Sequence, residues 1–398
     1  MEGLEDGGDL QQIRTTPPPV GRVITIPYAD LLREDLDLSR ELEAGFGLNS
    51  LGIVAISGVP KYSELRSRLL PLASRIAALS EESKKSLEDP ASRFSFGWSH
   101  GKEMLKSGQP DIYKGSFYAN PVVDVPTTEE ILIERYPSYC RPNLWPREDL
   151  PELEPAFKEL GHLILDVGLL LAHHCDKFVS ARKSDYEQGK LVRMLQSSKC
   201  HKGRLLHYFP ASSRDAEERE KEMASWCGWH FDHGSLTGLT CAMYMREVAR
   251  VPNPDPQSGL YIRDRLGSIV KAVFAEEDIA YQMGEATEIH SGGLFRATLH
   301  CVQAACGETA VGVDRNTFAL FMQPQWDEPL ISPDSTEVIA CALESLELSS
   351  ALCSLNSSCL MMLTGFICIV PAVTEVCQLW RFYRGTSQQV LWRFMNQA

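Results

Sequence analysis

Apolar and polar residues alternate along this chain in two different rhythms, and the change of rhythm divides it. Glu154 to Val179 carries Phe157, Leu160, Ile164, Val167, Leu171 and Phe178, mostly three or four residues apart, the spacing that lays one apolar stripe along a helix. Tyr62 to Leu87 has a similar rhythm interrupted at Pro71, and Ser80 followed by Glu81 and Glu82 reads as a fresh helix start. Tyr28 to Gly45, with leucines at roughly helical spacing, adds a third helical stretch. Two short runs upstream, Val23 to Ile26 and Gly52 to Val59, are β-branched and read as strands. The proline-rich segment from Pro121 to Pro151 reads mostly as loop.

From Ser197 to Phe321 the helical rhythm gives way to short strands separated by turn signals, the pattern of an antiparallel sandwich or barrel. The expected fold class is therefore α+β with a mainly β core. Its expected parts are a disordered leader at 1–20, a mixed helical region at 21–196, a β core at 197–330 and a Cys-, Ser- and Leu-rich tail at 331–398 that packs poorly. Within the tail, Cys359 to Thr374 is almost wholly apolar, but it spans 16 residues and Pro371 interrupts it. A spanning helix needs about 20 apolar residues, so a membrane anchor is not expected.

Composition narrows the function classes. The 398 residues carry a formal net charge of −14, with no basic run to offset it, which argues against a nucleic-acid partner. None of the twelve cysteines forms a C-x-x-C pair and the leader does not read as an export signal, so free thiols and a cytoplasmic location are expected.

The candidate chemistry starts at Trp229-His230-Phe231-Asp232-His233, just before the apolar run Leu236 to Tyr244. On a strand, residues two apart share a face, so His230 and Asp232 project together while Phe231 and His233 point away. An imidazole and a carboxylate on one face are two thirds of a two-histidine, one-carboxylate facial triad, which leaves metal positions open. Beyond the adjacent His233, two of the ten histidines lie downstream. His300 sits in the strand-like run Phe295 to Val302, whereas His290 precedes a glycine pair at an expected turn, so His300 is preferred as third ligand. Arg315-Asn316-Thr317 opens another apolar strand, with the guanidinium and hydroxyl on one inward face. A buried Arg needs a partner, and its fork suits the far carboxylate of a keto acid. His173-His174-Cys175 and His201-Lys202 are read as helix-end and turn residues. Trp98, Tyr113 and Phe117 are weighed as substrate-side residues and read first as core.

From about residue 21 to 328 the chain resembles the isopenicillin N synthase-like family of iron(II)/2-oxoglutarate oxygenases. The likeness rests on RVITIPYADLL from Arg22, GIVAISGVP from Gly52, LSEESKKSL from Leu79, NLWP from Asn143, SGLYIR from Ser258, QMGE from Gln282 and GLFRATLHCV from Gly293, in that order. It implies a double-stranded β-helix, a cupin-like jelly roll flanked by N-terminal helices. It also implies iron(II) on His230, Asp232 and His300, with 2-oxoglutarate against Arg315, Thr317 and Tyr208. O2 would be the oxidant, ascorbate a candidate reductant, and the expected outcome hydroxylation or desaturation of a small molecule by a monomeric enzyme. Where the family has Asn-x-Tyr-Pro this chain reads His207-Tyr208-Phe209-Pro210, so a cosubstrate contact is expected to be missing at Phe209. That motivates a rival reading as an iron oxidase independent of 2-oxoglutarate. The unfamiliar tail motivates another, a non-catalytic metal-binding or scaffold homologue.

Overall fold

The strand Asp314–Met322 is buried almost throughout, because its two faces serve two different partners. Phe318, Leu320 and Met322 belong to the main apolar core, while Arg315, Thr317, Ala319 and Phe321 line a cavity. The computed structural model that carries this strand describes residues 18–103, 110–210 and 225–333. Most of the expected leader and the tail from 334 onward, including the apolar stretch 359–374, lie outside the described residues.

The helix Leu153–Ser180 packs on the outward face. All six stripe residues read from the sequence are buried on it, and Phe157 meets Phe318 edge to face at 5.0 Å. Helix and sheet approach closely where Gly238 faces Ile164: a Cβ on Gly238 would lie 2.2 Å from the Ile164 Cγ2. The expected break at Pro71 separates the helices Tyr62–Leu69 and Leu72–Ala77, and the Ser80 hydroxyl caps the next helix by accepting from Ser83 N. The segment expected to be mostly loop also holds two short helices, Glu130–Arg135 and Pro137–Cys140.

Among the described residues the strands form two sheets that do not close into one barrel. In the smaller, Gly259–Arg263 pairs with Ile269–Val273 and with Leu299–Gln303, which pairs in turn with Ser225–His230. The larger sheet runs through Ile24–Pro27, Ile53–Ser57, Ile279–Met283, Leu236–Thr240, Asp314–Met322, Lys202–Tyr208, Lys114–Ala119 and Gly97–His100. Four of those strands precede Ser197, so the N-terminal part builds the sheet as well as covering it. Val23, Ile262 and Ala272 meet Ile53, Ala55 and Ala280 in one apolar cluster that holds the sheets together at one side of the cavity. The fold is a jelly roll flanked by helices. No helix of the described residues is long and apolar enough to cross a membrane.

Candidate metal centre

Sheet pairing assembles the centre. His300 on Leu299–Gln303 is the direct partner of His230 at the end of Ser225–His230, and their rings lie 4.2 Å apart. The strand ends at His230, so Asp232 reaches the same place from the following loop and not by strand alternation. That loop is fixed from below: Glu285 N donates to the Asp232 carbonyl at 2.9 Å and Gly284 N to the Ser235 carbonyl at 3.0 Å. The approach is so close that a Cβ on Gly284 would stand 2.0 Å from the Gly234 carbonyl oxygen.

One donor atom each from His230, Asp232 and His300 lies within 4.8 Å of the others. The hydrogen bonds around them leave those atoms pointing inward. His230 Nδ1 lies 2.7 Å from the Gly228 carbonyl, and His300 Nδ1 lies 2.9 Å from the Thr298 carbonyl. A carbonyl can only accept, so each Nδ1 carries a proton and each Nε2 is the nitrogen left to face the centre. Thr237 Oγ1 donates to Asp232 Oδ2 at 2.7 Å, leaving Oδ1 at 3.7 Å from His230 Nε2.

Charge is balanced within the cluster. Burial opposes ionisation of Asp232, but the His300 and His230 imidazoles and the Thr237 hydroxyl hold its carboxyl below the usual range. Burial and the neighbouring His230 push His300 down to about 4. His230 goes the other way: burial lowers it, but the Cys227 thiolate and the Asp232 carboxylate raise it to about 9, so its Nε2 holds a proton that a metal would displace. Cys227, beside His230 Nδ1 at 3.7 Å, was not singled out by the sequence. Thr237 and Gly284 were also missed: each is an unremarkable residue until pairing shows what it touches.

The remaining histidines serve elsewhere. His233 pairs with Glu285, His290 Nε2 meets the Pro329 carbonyl at 3.2 Å, and His201 Nε2 meets the Leu195 carbonyl at 2.9 Å. His174 is buried against the Leu31 carbonyl. Trp98 and Phe117 are core residues, and Tyr113 packs against the smaller apolar cluster around Tyr208 and Trp226.

The triad opens into a cavity of about 380 Å³ between the sheets, lined also by Tyr208, Arg315 and Thr317. Arg315 is 7% exposed, and its Nε and Nη1 have no hydrogen-bond partner among the described residues. Its guanidinium lies 4.8 Å from the Tyr208 ring centre and 5.6 Å from that of Trp226. Thr317 shares the face, although its hydroxyl donates to the Thr240 carbonyl at 3.1 Å and would have to turn to donate to a ligand. The resemblance set 2-oxoglutarate against Tyr208 and left a contact missing at Phe209; of the two rings, Tyr208 lines the cavity and Phe209 does not. Pairing with Arg315 turns Tyr208 toward the cavity, while Phe209 packs between His100 and His207 at 4.7 and 4.6 Å. The Tyr-to-Phe difference therefore removes nothing from the cavity.

A jelly roll holding two imidazoles and a carboxylate between its sheets has the donor set of a mononuclear divalent metal centre with open positions. No family model and no curated protein matches the sequence. Solved structures match the fold. A full-length Neurospora crassa protein, crystallised in complex with alpha-KG and 5-formyluracil, is 17% identical with a TM-score of 0.57, over 77% of this chain and 86% of that one. A 2OG-Fe(II) oxygenase family protein from Caulobacter crescentus is 19% identical with a TM-score of 0.58, over 78% and 89%. A dioxygenase for auxin oxidation from rice is 14% identical with a TM-score of 0.50, over 81% and 96%.

Proposed function

We propose that this protein is a non-haem iron(II) oxygenase that consumes 2-oxoglutarate and O2 and hydroxylates or desaturates a small organic molecule. The observation that carries the reading is one cavity holding both a convergent His230, Asp232, His300 set and the Arg315 guanidinium, whose Nε and Nη1 have no partner among the described residues. Inward Nε2 atoms and one carboxylate oxygen suit iron(II), and the fork of Arg315 suits a carboxylate. The fold neighbours, crystallised with or named for the same cosubstrate and metal, agree with it.

The charges close. A dication on one carboxylate carries a net single positive charge, a second comes from Arg315, and a 2-oxo diacid neutralises both. Iron held there would supply the oxidising chemistry, coupling decarboxylation of the oxo acid to attack on a substrate C–H bond. The protein's own residues do the rest. Thr237 keeps Asp232 oriented, the two backbone carbonyls fix the imidazole tautomers, and Tyr208 with Trp226 form an aromatic wall that holds the Arg315 fork. The cavity volume is at the lower end of the range for small-molecule sites, which suits a compact substrate.

Phe209 was the motive for an oxidase that bypasses 2-oxoglutarate, and its place outside the cavity takes that motive away. The test is anaerobic reconstitution with iron(II) followed by 2-oxoglutarate. A visible charge-transfer band is expected, abolished in His230→Ala and weakened in Arg315→Ala. Stoichiometric iron without the band would replace this reading with the oxidase, and failure to bind iron would end both.

A further inference from the structure

A second orphaned polar group lies in the same cavity. Gln282 is fully buried at 0% exposure, and neither Nε2 nor Oε1 of its carboxamide has a hydrogen-bond partner among the described residues. Its direction follows from the strand Ile279–Met283. Tyr281 points outward, its hydroxyl donating to the Ile164 carbonyl at 2.6 Å, so Gln282 and Ala280 point inward. Gln282 lines the cavity that holds His230, Asp232 and His300.

Its neighbours place it at the metal end. Across one strand gap its register partner is Thr237, whose hydroxyl holds Asp232; across the other it is Ile53. Directly opposed residues on a sheet have Cβ atoms about 5 Å apart, so the carboxamide stands beside the Thr237–Asp232 pair. Its other inward neighbours, Ile53, Ala55 and Ala280, are apolar. A side chain needed only for packing there would be apolar too, since two unmade hydrogen bonds at a buried site are costly.

We infer that Gln282 is a further cosubstrate-binding residue, its Nε2 donating to the metal-proximal carboxylate of the bound 2-oxo acid while Arg315 takes the distal one. The inference rests on the function proposed above and deepens it. Oε1 cannot pair with a carboxylate and is left to accept from water. The cavity thus has an unpartnered donor at each end, a neutral amide by the metal and a cation at the far side. That selects a short chain with an acid group at both ends over a monoacid.

Gln282→Met removes the amide at nearly constant volume, and Gln282→Glu keeps the shape while setting a carboxyl group against the ligand's. Three quantities are read without turnover: the thermal midpoint of the metal-free protein, Mn(II) affinity by calorimetry, and 2-oxoglutarate affinity from the anaerobic iron(II) charge-transfer band. Gln282→Met is expected to keep or raise the midpoint, because an unsatisfied group is replaced by an apolar one, and to keep Mn(II) affinity. It should weaken 2-oxoglutarate roughly tenfold, the loss of one hydrogen bond to a charged group. Gln282→Glu should weaken it further. If both variants bind 2-oxoglutarate within about twofold of the parent, the carboxamide holds only water and the inference is overturned. A parent protein that forms no 2-oxoglutarate complex would overturn the proposed function, and this with it. Selective loss in the variants upholds both.

Discussion

Arg315→Met separates a ligand-binding guanidinium from a structural one. In the ligand-free protein the guanidinium leaves Nε and Nη1 unmet, at about 1–3 kcal/mol each. Against that stand its contacts with Tyr208 and Trp226, worth about 0.5–2 kcal/mol each. At mid-range the unmet groups outweigh the contacts by only about 1.5 kcal/mol, so removing the charge should raise the thermal midpoint of the metal-free protein by no more than a few degrees. Affinity for 2-oxoglutarate should respond very differently. Losing a buried, charge-assisted pair costs about 2–5 kcal/mol. A mid-range 3 kcal/mol is roughly 150-fold in Kd at about 1.4 kcal/mol per decade. The assay is a titration of 2-oxoglutarate into the anaerobic iron(II) protein, with scanning calorimetry of the same samples. A variant that loses many degrees of stability yet binds 2-oxoglutarate normally would refute the reasoning, since Arg315 would then be a packed cation stabilised by its aromatic neighbours alone.

Three further outcomes follow from the same contacts. Thr237→Val keeps the shape but removes the bond that orients Asp232, and should lower metal affinity about 10- to 100-fold, read by Mn(II) calorimetry. Gly284→Ala drives a methyl group into the Gly234 carbonyl, so the 232–235 loop must shift; a loss of about 1–3 kcal/mol in denaturant unfolding is expected, with weakened metal binding. His201 is almost wholly buried, and burial holds its pKa near about 4, below the ordinary 6.5. The unfolded chain therefore takes up a proton that the folded one refuses, and stability falls as pH drops from about 6.5 toward 4, by up to about 3 kcal/mol. His201→Gln should flatten that slope in urea unfolding at pH 7 and 5, and an unchanged slope would assign the acid sensitivity to other groups.

Much of this was readable in the sequence, for reasons that particular residues illustrate. The helix Leu153–Ser180 is long and largely periodic, so its buried stripe is visible without any partner. His230 and His300 were legible because strand patterns surround both, and sheet pairing then made them neighbours. What stayed hidden depends on register, which is a property of two chain segments at once. Gly97–His100 and Lys114–Ala119 hold no β-branched residue to announce a strand and become strands by pairing at the edge of the larger sheet. Tyr208 and Phe209 show the same limit more sharply. A one-residue slip exchanges the faces of a strand, so motif order alone does not say which of these two rings faces the cavity. Thr237 and Gln282 are polar residues within mainly apolar runs, and their cross-strand pairing is what gives them a role.

The strand Asp314–Met322 also explains how a cavity with unmet polar groups can persist in a stable protein. Its inward Arg315 leaves donors unpartnered, which is unfavourable without a ligand. Its outward Phe318, Leu320 and Met322 are fully buried in the core that includes the long helix, at about 1.5–3 kcal/mol per side chain. One backbone carries both faces, so the apolar contacts that hold the strand also fix the direction of the guanidinium. The strand Ile279–Met283 repeats the arrangement, with Tyr281 anchored to Ile164 on one side and Gln282 facing the cavity on the other. A ligand entering between them meets donors already aimed and loses little affinity to ordering them. Loosening the outward contacts should therefore weaken 2-oxoglutarate binding even though no outward residue touches it.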